Sequence, residues 1–388
     1  MLDSISLWFE YILRFSHLVA GIAWIGSSFY FIWLDSSFLP PKTPRKNVDG
    51  EVFMVHGGFY YQVEKKKIAP GELPDILHWF RWEATITLIT GYLLLIYIYF
   101  FNNASLLIDP QTSDLSAIQA IGCAVLLIGI SWFVYDFIWH PKFENKKKLQ
   151  TLLSVIYFSA LIFICMHIFS GRGSFILIGV TFGTLMVANV WVRILPGQKR
   201  MLASAQAGQI PDYSESLKSK TRSVHNTYFI FPVLFIMISN HYPLIYNHSK
   251  NWLLLIVLGV SGALTRHSMV TNGKNKLLPL FAALGLLLLI YITAQNPQLL
   301  GANQISNVSY ENIQHIVQAR CLPCHSTNNT DDIFKTAQKG LVLESQEQIL
   351  ANKLAIKNQL LANIMPLGNK TKMTDQERAL FLKWLSSN

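Results

Sequence analysis

Long runs of apolar residues alternate with short polar segments through the first three quarters of the chain. Eight of these runs approach the roughly 20 residues that a helix needs to cross a bilayer. The predicted spans are residues 5–34, 77–101, 117–139, 151–170, 174–195, 226–241, 251–270 and 277–294. The first run is too long for a cleaved signal peptide, and more spans follow it. The pattern therefore predicts an all-α, polytopic membrane helix bundle over residues 1–294.

A polar linker, residues 295–307, separates the membrane part from a C-terminal tail, residues 308–388. A helix is predicted over residues 308–320. A last helix begins at Thr374, where Thr374 and Glu377 have the spacing of a capping box. The apolar positions of this last helix are Leu380, Leu382 and Trp384. We expect them to pack on the first helix, which gives a small α-helical domain with a small core.

Basic residues divide the loops between the spans into two kinds. The loops after spans one, three, five and seven are rich in lysine and arginine, whereas loops 102–116, 171–173 and 242–250 hold at most one basic residue each. Cytoplasmic loops carry such an excess, so both termini and the tail are predicted to lie outside. The net charge of +10 belongs to these loops and not to one soluble face. It therefore predicts no nucleic-acid partner, and the lipid bilayer is the expected surrounding.

The strongest chemical motif is Cys321-Leu-Pro-Cys324-His325 in the tail. Two thiols at this spacing form thioethers to the vinyl groups of a haem, and the adjacent histidine binds the iron. Cys321 and Cys324 are therefore predicted to hold one covalent c-type haem, with His325 as an iron ligand. Such haem is attached outside the cytoplasmic membrane, in agreement with the loop charges. Residues 308–388 are thus predicted to be a periplasmic cytochrome c domain.

Two methionines are candidates for the second axial ligand of this iron. Met365, which precedes Pro366 on the loop before the last helix, is favoured over Met373. Either side chain could instead fill the core. Half of a zinc site is the alternative for the cysteine motif, but a structural zinc ion needs four ligands. The other two cysteines, Cys123 and Cys165, lie in distant apolar runs.

Several histidines fall within or at the ends of the predicted spans. Ionisable residues at membrane depth cost about 2.5–3.5 kcal/mol on insertion scales, so each needs a reason. His17 lies deep in span one, one turn from Arg14, while His167 and His241 lie near outer ends. Facing histidines could bind a b-type haem that relays electrons to the tail, because one c-type haem holds one electron and most organic substrates lose two. The alternative for each histidine is a packing or interfacial role.

A series of short motifs follows in order along nearly the whole chain. In the membrane part they are His17-Leu-Val-Ala-Gly21-Ile-Ala-Trp24-Ile-Gly26 with Asp35, His56-Gly-Gly-Phe-Tyr60, His78-Trp-Phe-Arg-Trp-Glu83, Gly171-Arg-Gly173, His225-Asn-Thr-Tyr228, Ser239-Asn-His-Tyr-Pro243 and Arg266-His267. In the tail they are Cys321 to His325 and Met365-Pro-Leu-Gly-Asn369. Together with the domain order, they make the chain resemble the membrane-bound bacterial urate oxidases, or urate hydroxylases of the PuuD type. Leu367 departs from these proteins, whose tails often have a second proline there.

The resemblance implies a cytochrome c-linked enzyme of purine catabolism in the bacterial inner membrane. It implies oxidation of urate to 5-hydroxyisourate, with water as the oxygen source and without hydrogen peroxide. Electrons would pass to the tail haem and then to a cytochrome c or a terminal oxidase of the respiratory chain.

Urate is a planar anion at neutral pH, so its site needs a cation, hydrogen bonds in the plane and aromatic stacking. Given the resemblance, we expect the catalytic site on the inner side, near His56, His78, Arg81, His225 and His267. Arg222 and Arg266 are further cations on that side. A histidine could accept the proton released on oxidation, since its pKa lies near the working pH. A b-type haem would lie nearer His17, His167 and His241.

Two other functions remain compatible with the sequence. A quinol–cytochrome c oxidoreductase would use the membrane histidines for b-type haems and bind quinol at the lipid boundary. A transporter or haem-handling protein could use its cytochrome tail as a redox sensor. These three candidate functions differ in whether urate, a quinol or neither compound reduces the haem.

Overall fold

The computed structural model describes residues 2–71, 73–110, 112–271, 273, 275–294, 308–361 and 363–387. The helices of its membrane part are α1 (Leu2–Ser37), α2 (Trp82–Leu95), α3 (Ala117–Ile138), α4 (Lys147–Ile168), α5 (Gly171–Ala188), α6 (Leu195–Gln206), α7 (Tyr213–Ser239), α8 (Pro243–Tyr246), α9 (Asn251–Val270) and α10 (Leu277–Ala294). The predicted linker, 295–307, lies outside the described residues, so its boundaries stay a prediction.

Seven stretches of helix in the described part of the chain are long and apolar enough to cross a membrane. They match predicted spans one to five, seven and eight, with ends that differ mostly by a few residues. The sixth predicted span, 226–241, lies within α7 apart from its last two residues, and α7 is long enough but polar in its first half. Pro232 lies inside α7 without ending it. The membrane-type bundle is therefore confirmed in outline, while the count of eight spans stays a prediction.

The outward faces of these helices are strongly apolar. Ile118, Phe133 and Leu287 are 84%, 72% and 60% exposed, and many other large apolar side chains lie beside them on the surface. Soluble monomers rarely expose large contiguous apolar patches. Such a surface is compatible with a bundle surrounded by lipid.

The prediction of an all-α fold was wrong for the first long loop. This loop forms an antiparallel hairpin of β1 (Val48–His56) and β2 (Phe59–Lys66), in which His56 pairs with Phe59. Gly57 and Gly58 turn the chain with φ of 60° and 81°, which glycine adopts without steric cost. A Gly-Gly pair between runs rich in valine and tyrosine is typical of a hairpin. The prediction of an all-α fold missed it because it rested on the helical pattern of the long spans.

Helix α5 lies at the centre of the bundle and packs against α7, α3, α4 and α2. Two helices continue through π-helical turns, which widen the helix by a residue and are frequent at functional sites. One such turn, Ile96–Phe100, extends α2, and the other, Asn189–Ile194, joins α5 to α6. The ladder of backbone hydrogen bonds is therefore irregular where α5 and α7 meet.

The tail is a separate helical cluster with a small apolar core. Its helices are α11 (Tyr310–Arg320), α12 (Gln346–Ala351), α13 (Lys353–Leu361) and α14 (Asp375–Ser387). The predicted packing of the first helix on the last is confirmed, because the rings of Tyr310 and Trp384 lie 5.7 Å apart. The predicted capping box is also confirmed. The Thr374 N–H donates to Glu377 Oε2 over 2.7 Å, and the Glu377 N–H donates to Thr374 Oγ1 over 3.2 Å.

The tail rests on the end of the bundle opposite to the hairpin; we name these the tail end and the hairpin end. Gly368 of the tail has a φ of 55°, and a Cβ atom there would lie 3.0 Å from the Ile108 carbonyl oxygen and 3.2 Å from that of Ser105. Asn363 Nδ2 lies 3.5 Å from the carbonyl oxygen of Asn247. Glycine at 368 therefore permits a close approach of the two backbones.

Candidate functional site

Helix α7 carries His225 on the side that faces α3. The Nδ1 atom of His225 lies 2.9 Å from the Tyr135 hydroxyl, and its ring centre lies 4.0 Å from that of Trp139. Asn189, at the start of the second π-helical turn, donates from Nδ2 to the same hydroxyl and to Asn226 Oδ1. His225 therefore lies in a polar network inside the bundle, toward the hairpin end.

Asp136 pairs with both arginines of this network. Its carboxylate accepts hydrogen bonds from Arg193 Nε over 2.8 Å and from Arg222 Nη2 over 2.9 Å. Arg222 also donates to the Trp139 carbonyl over 2.9 Å, and it is only 5% exposed. Because its donors are used within the protein, Arg222 serves to order the network and is a poor candidate for binding an anion.

Arg266, on α9, differs from Arg222 in that some of its donors have no partner among the described residues. It is 1% exposed, and its Nε and Nη2 atoms have no hydrogen-bond partner among the described residues. Its guanidinium carbon lies 4.4 Å from the centre of the Phe29 ring, and Nη1 reaches only the Met269 sulfur, 4.0 Å away. A buried cation with two free donors on one edge is costly. It is therefore a candidate for binding a planar anion, which a guanidinium recognises with two parallel hydrogen bonds.

The neighbour of Arg266 on the chain, His267, is linked to α7. Its Nδ1 atom lies 2.6 Å from the hydroxyl oxygen of Tyr228, and the two rings are stacked with centres 6.0 Å apart. Arg266 and Tyr228 are close enough to interact electrostatically. Arg266, Tyr228 and His267 thus combine a cation, a hydroxyl and an imidazole at the hairpin end; we name them the α7–α9 cluster.

Arg81 precedes α2 at the same end of the bundle. Its guanidinium carbon lies 5.5 Å from the Trp82 ring and 5.8 Å from the Trp191 ring, and its buried Nε has no partner among the described residues. Trp191 is held by a hydrogen bond from Nε1 to Thr85 Oγ1 over 2.9 Å. Arg81 therefore offers a second free donor, beside two indoles.

The remaining inner-side candidates are exposed. His56 ends β1 beside the hairpin turn, and His78 lies in the irregular segment before α2. In the described part of the chain, neither makes a hydrogen bond to His225, Arg81 or His267. The structure thus brings the five predicted catalytic residues to one end of the bundle but into separate groups.

The three histidines predicted near a b-type haem also lie apart. His17 lines a large cavity among α1, α2, α5 and α7. His167 lines a polar cavity between the bundle and the tail, and its Nδ1 atom lies 2.7 Å from the Phe163 carbonyl. His241 lines a further surface cavity that α13 borders. Of these histidines, only His17 faces the interior of the membrane part.

In the tail, the cysteine motif follows directly after α11. The N–H of His325 donates to the Cys321 carbonyl over 3.0 Å, so the motif forms a helical turn. His325 Nδ1 lies 3.0 Å from the Leu341 carbonyl oxygen, which leaves Nε2 as the nitrogen that could bind a metal. Burial raises the pKa of the Cys321 thiol to about 12 and that of the Cys324 thiol to about 11, so both thiols stay protonated at neutral pH.

The two candidate methionine ligands differ in burial. Met373 is 1% exposed and belongs to the apolar core of the tail. Met365 is half-buried, and its carbonyl accepts a hydrogen bond from Arg378 over 2.7 Å. The preference for Met365 over Met373 as the iron ligand stays a prediction.

Sequence analysis did not single out Tyr135, Asn189 and Arg193 of the polar network. Asn189 and Arg193 lie four residues apart in an otherwise apolar span, and polar residues in a span are the signal that could have identified them. Tyr135 gives no such signal, because tyrosine is ordinary in membrane helices.

A family model described as urate oxidase N-terminal matches residues 3–296 of the chain. The matched region contains the whole described membrane part, with the polar network and the α7–α9 cluster. No curated protein matches the chain. No solved structure matches it either.

Proposed function

The chain belongs to the urate oxidase N-terminal family, and from this premise we propose that it is a membrane-bound enzyme that oxidises urate to 5-hydroxyisourate. Urate and one water molecule give 5-hydroxyisourate, two protons and two electrons. The electrons pass to a covalent c-type haem in the tail, and no hydrogen peroxide is formed. The acceptor after the tail is a cytochrome c or a terminal oxidase.

The observation that carries the proposal is the buried edge of Arg266, whose Nε and Nη2 have no hydrogen-bond partner in the part of the chain that the structure describes. Urate is a planar monoanion with oxygen and nitrogen acceptors along its edges. The free Nε and Nη2 of Arg266 offer two parallel donors, and such bidentate pairs are among the strongest hydrogen bonds in proteins. The guanidinium therefore recognises both the charge and the plane of the substrate.

Tyr228 and His267 supply the proton chemistry beside this cation. The reaction releases two protons, and an imidazole in hydrogen-bond contact with a hydroxyl can accept one as it forms. His267 is exposed, so it can return the proton to water. Arg81 with Trp82 and Trp191 supports the proposal as a second group with a free donor and stacking surfaces.

The residues of the tail fit a c-type haem. Cys321 and Cys324 would form the two thioethers, and His325, oriented by the Leu341 carbonyl, would present Nε2 to the iron. Met365 would be a further ligand of the iron. Bound haem supplies an acceptor for one electron at a time, so each urate reduces two tails or one tail twice.

The proposed arrangement in the bacterial inner membrane follows the loop charges. The hairpin end faces the cytoplasm, where purines are degraded, and both termini and the tail face the periplasm. Substrate would enter at the hairpin end and electrons would leave at the tail end.

Anaerobic addition of urate to the purified full-length protein tests the proposal. We expect the c-type haem to become reduced, with one 5-hydroxyisourate formed for every two haems and with labelled water supplying the new oxygen. Reduction by a quinol but not by urate would overturn the proposal in favour of a quinol–cytochrome c oxidoreductase. Reduction by neither would favour the transporter or haem-handling function.

A further inference from the structure

A cavity in the core of the membrane part lies among α1, α2, α5 and α7, toward the tail end. Its volume is about 310 Å³, within the range of about 300–1,000 Å³ that is typical of cofactor and small-molecule sites. Its walls are mostly apolar, with polar groups at His17 and at the tail-end rim. The polar network and the α7–α9 cluster do not line it, so the cavity is separate from the proposed urate site.

His17 is held in one orientation on the wall of this cavity. Its Nδ1 atom lies 3.0 Å from the Thr87 carbonyl oxygen and 3.1 Å from Thr90 Oγ1. A carbonyl can only accept, so Nδ1 carries the proton and Nε2 keeps its lone pair. Nε2 makes no hydrogen bond to the described residues. An imidazole fixed through Nδ1 by a backbone carbonyl is the arrangement in which histidine binds a metal through Nε2.

Glycines from three helices line the same cavity. A Cβ atom on Gly91 would lie 3.0 Å from His17 Cε1, so a larger residue there would displace the imidazole. Gly183 faces open space, with no atom within 4 Å of the Cβ position. Gly21 and Gly179 complete this wall. A wall of glycines lets a broad, flat molecule lie against the backbone.

Two arginines and two polar groups form the rim of the cavity at the tail end. Arg172 Nε donates to the Tyr99 hydroxyl over 3.2 Å and to Asn240 Oδ1 over 3.1 Å. Its two terminal nitrogens make no hydrogen bond within the described part of the chain. Arg14, also on the rim, is paired with Glu10. Arg172 thus offers a free pair of donors to a carboxylate at the mouth of the cavity.

We propose that this cavity binds a non-covalent b-type haem, with His17 Nε2 as the iron ligand and the propionates at Arg172. The described lining contains no other histidine, so the iron has imidazole on one side only. This differs from the expectation that His167 or His241 would be a second ligand. The opposite side is open or reached by the sulfur of Met186 or Met237, both of which line the cavity.

The position of Arg172 gives this haem a role in electron transfer. Arg172 lines both the haem cavity and the polar cavity of about 380 Å³ between the bundle and the tail. An electron carrier with its propionates at Arg172 therefore lies between the hairpin end and the tail. This role rests on the proposed function, whereas the binding of haem does not.

Haem analysis of the purified full-length protein tests the inference without urate. Acid–acetone extraction removes b-type haem and leaves c-type haem on the polypeptide. We expect one extractable haem for each covalent haem in the native protein. His17→Ala should lose the extractable haem and keep the covalent one, and added imidazole should restore it. His241→Ala should keep both.

A second pair of variants separates blocking of the cavity from misfolding. Gly183→Leu places a side chain in the open space of the cavity that His17 also lines, whereas Gly129→Leu adds the same side chain to an exposed surface of α3 with nothing within 4 Å. We expect only Gly183→Leu to lose extractable haem. Three results would each overturn the inference. They are covalent haem alone in the native protein, extractable quinone in place of extractable haem, and a full haem content in the His17→Ala variant.

Discussion

The hydroxyl oxygen of Tyr228 lies 2.6 Å from Nδ1 of His267, and this contact joins α7 to α9 beside Arg266, whose Nε and Nη2 atoms have no hydrogen-bond partner among the described residues. Aromatic contact between the two rings adds to the hydrogen bond. Loss of the hydroxyl would therefore remove the hydrogen bond to His267 Nδ1 and leave the ring contact as the link between the two side chains.

Tyr228→Phe should lower kcat for urate about tenfold and change KM little, because one hydrogen bond of about 1–1.5 kcal/mol is lost near the reacting proton. Steady-state kinetics measured over a range of pH test this expectation. The pH profile of kcat should be displaced relative to that of the native protein. Tyr213→Phe, which removes only a hydrogen bond to the Ile68 carbonyl at the surface, is the matched control. An unchanged pH profile in Tyr228→Phe would remove the pair from the proton path.

Arg266→Gln should weaken urate binding by about 10- to 100-fold, since a charge-assisted hydrogen bond contributes about 1.5–3 kcal/mol. The binding of urate to the oxidised protein can be measured by calorimetry, without turnover. Arg200→Gln is the control, because Arg200 is exposed and pairs with Glu215 at the surface. Equal affinities of native protein and Arg266→Gln would contradict the assignment of Arg266 to the substrate.

Arg81→Ala should abolish urate turnover and leave the spectrum of the tail haem unchanged. The reason is that Arg81 is far from the tail, with a free Nε between two indoles at the hairpin end. Activity and absorption spectra of the same preparation are compared. Normal kinetics would exclude Arg81 from the site.

The Asp331–Lys370 pair should make the tail sensitive to acid. Burial alone would raise the pKa of Asp331, but hydrogen bonds from Lys370 and from the N–H groups of Phe334 and Ile333 outweigh it and lower the pKa to about 2. The unfolded value is about 3.9. The carboxylate therefore stabilises the tail fully above about pH 4, and this contribution is lost as the pH falls toward 2.

Asp331→Asn should accordingly lower the free energy of unfolding of the tail by roughly 2 kcal/mol at pH 7 and by little at pH 2. Denaturant unfolding of the full chain, followed by haem absorption, measures the difference. The control is Asp332→Asn, because Asp332 contacts the same Lys370 from an exposed position. A loss of stability independent of pH would show that the effect comes from packing.

Gly368→Ala should slow reduction of the tail haem by urate severalfold without changing the spectrum of that haem. The added Cβ would lie 3.0 Å from the Ile108 carbonyl, so the tail must shift away from the bundle. Stopped-flow reduction measures the rate. Gly340→Ala is matched in backbone strain, with a φ of 67°, but meets no atom within 4 Å. Equal rates in the two variants would contradict a role for this contact.

Much of the fold follows from local patterns in the sequence. The apolar runs located seven of the membrane helices, and the Thr374 capping box located the start of the last one. The hairpin was missed because the Gly57-Gly58 signal is short beside the long spans. Periodicity gives the face of each helix but not its neighbour, so the sequence could not predict that Tyr228 meets His267.

The sequence predicts which types of residue form the candidate site, but not which individual residues lie together in it. The cations and histidines at the hairpin end follow from composition and topology. That Arg222 pairs with Asp136 while Arg266 keeps two free donors depends on tertiary packing. Likewise, the separation of His167 and His241 from His17 depends on which cavities the packed helices leave.

The π-helical turn Asn189–Ile194 constrains the length of the chain at this point. It holds one residue more than a regular helix needs, and an α-helix turns by about 100° for each residue. Deletion of a single residue would restore regular winding and leave α5 and α6 in their present orientation, because the wide turn already absorbs the extra residue. A homologue that is one residue shorter here would therefore keep both helices in place but change the positions of the residues inside the turn, Arg193 among them, relative to Asp136.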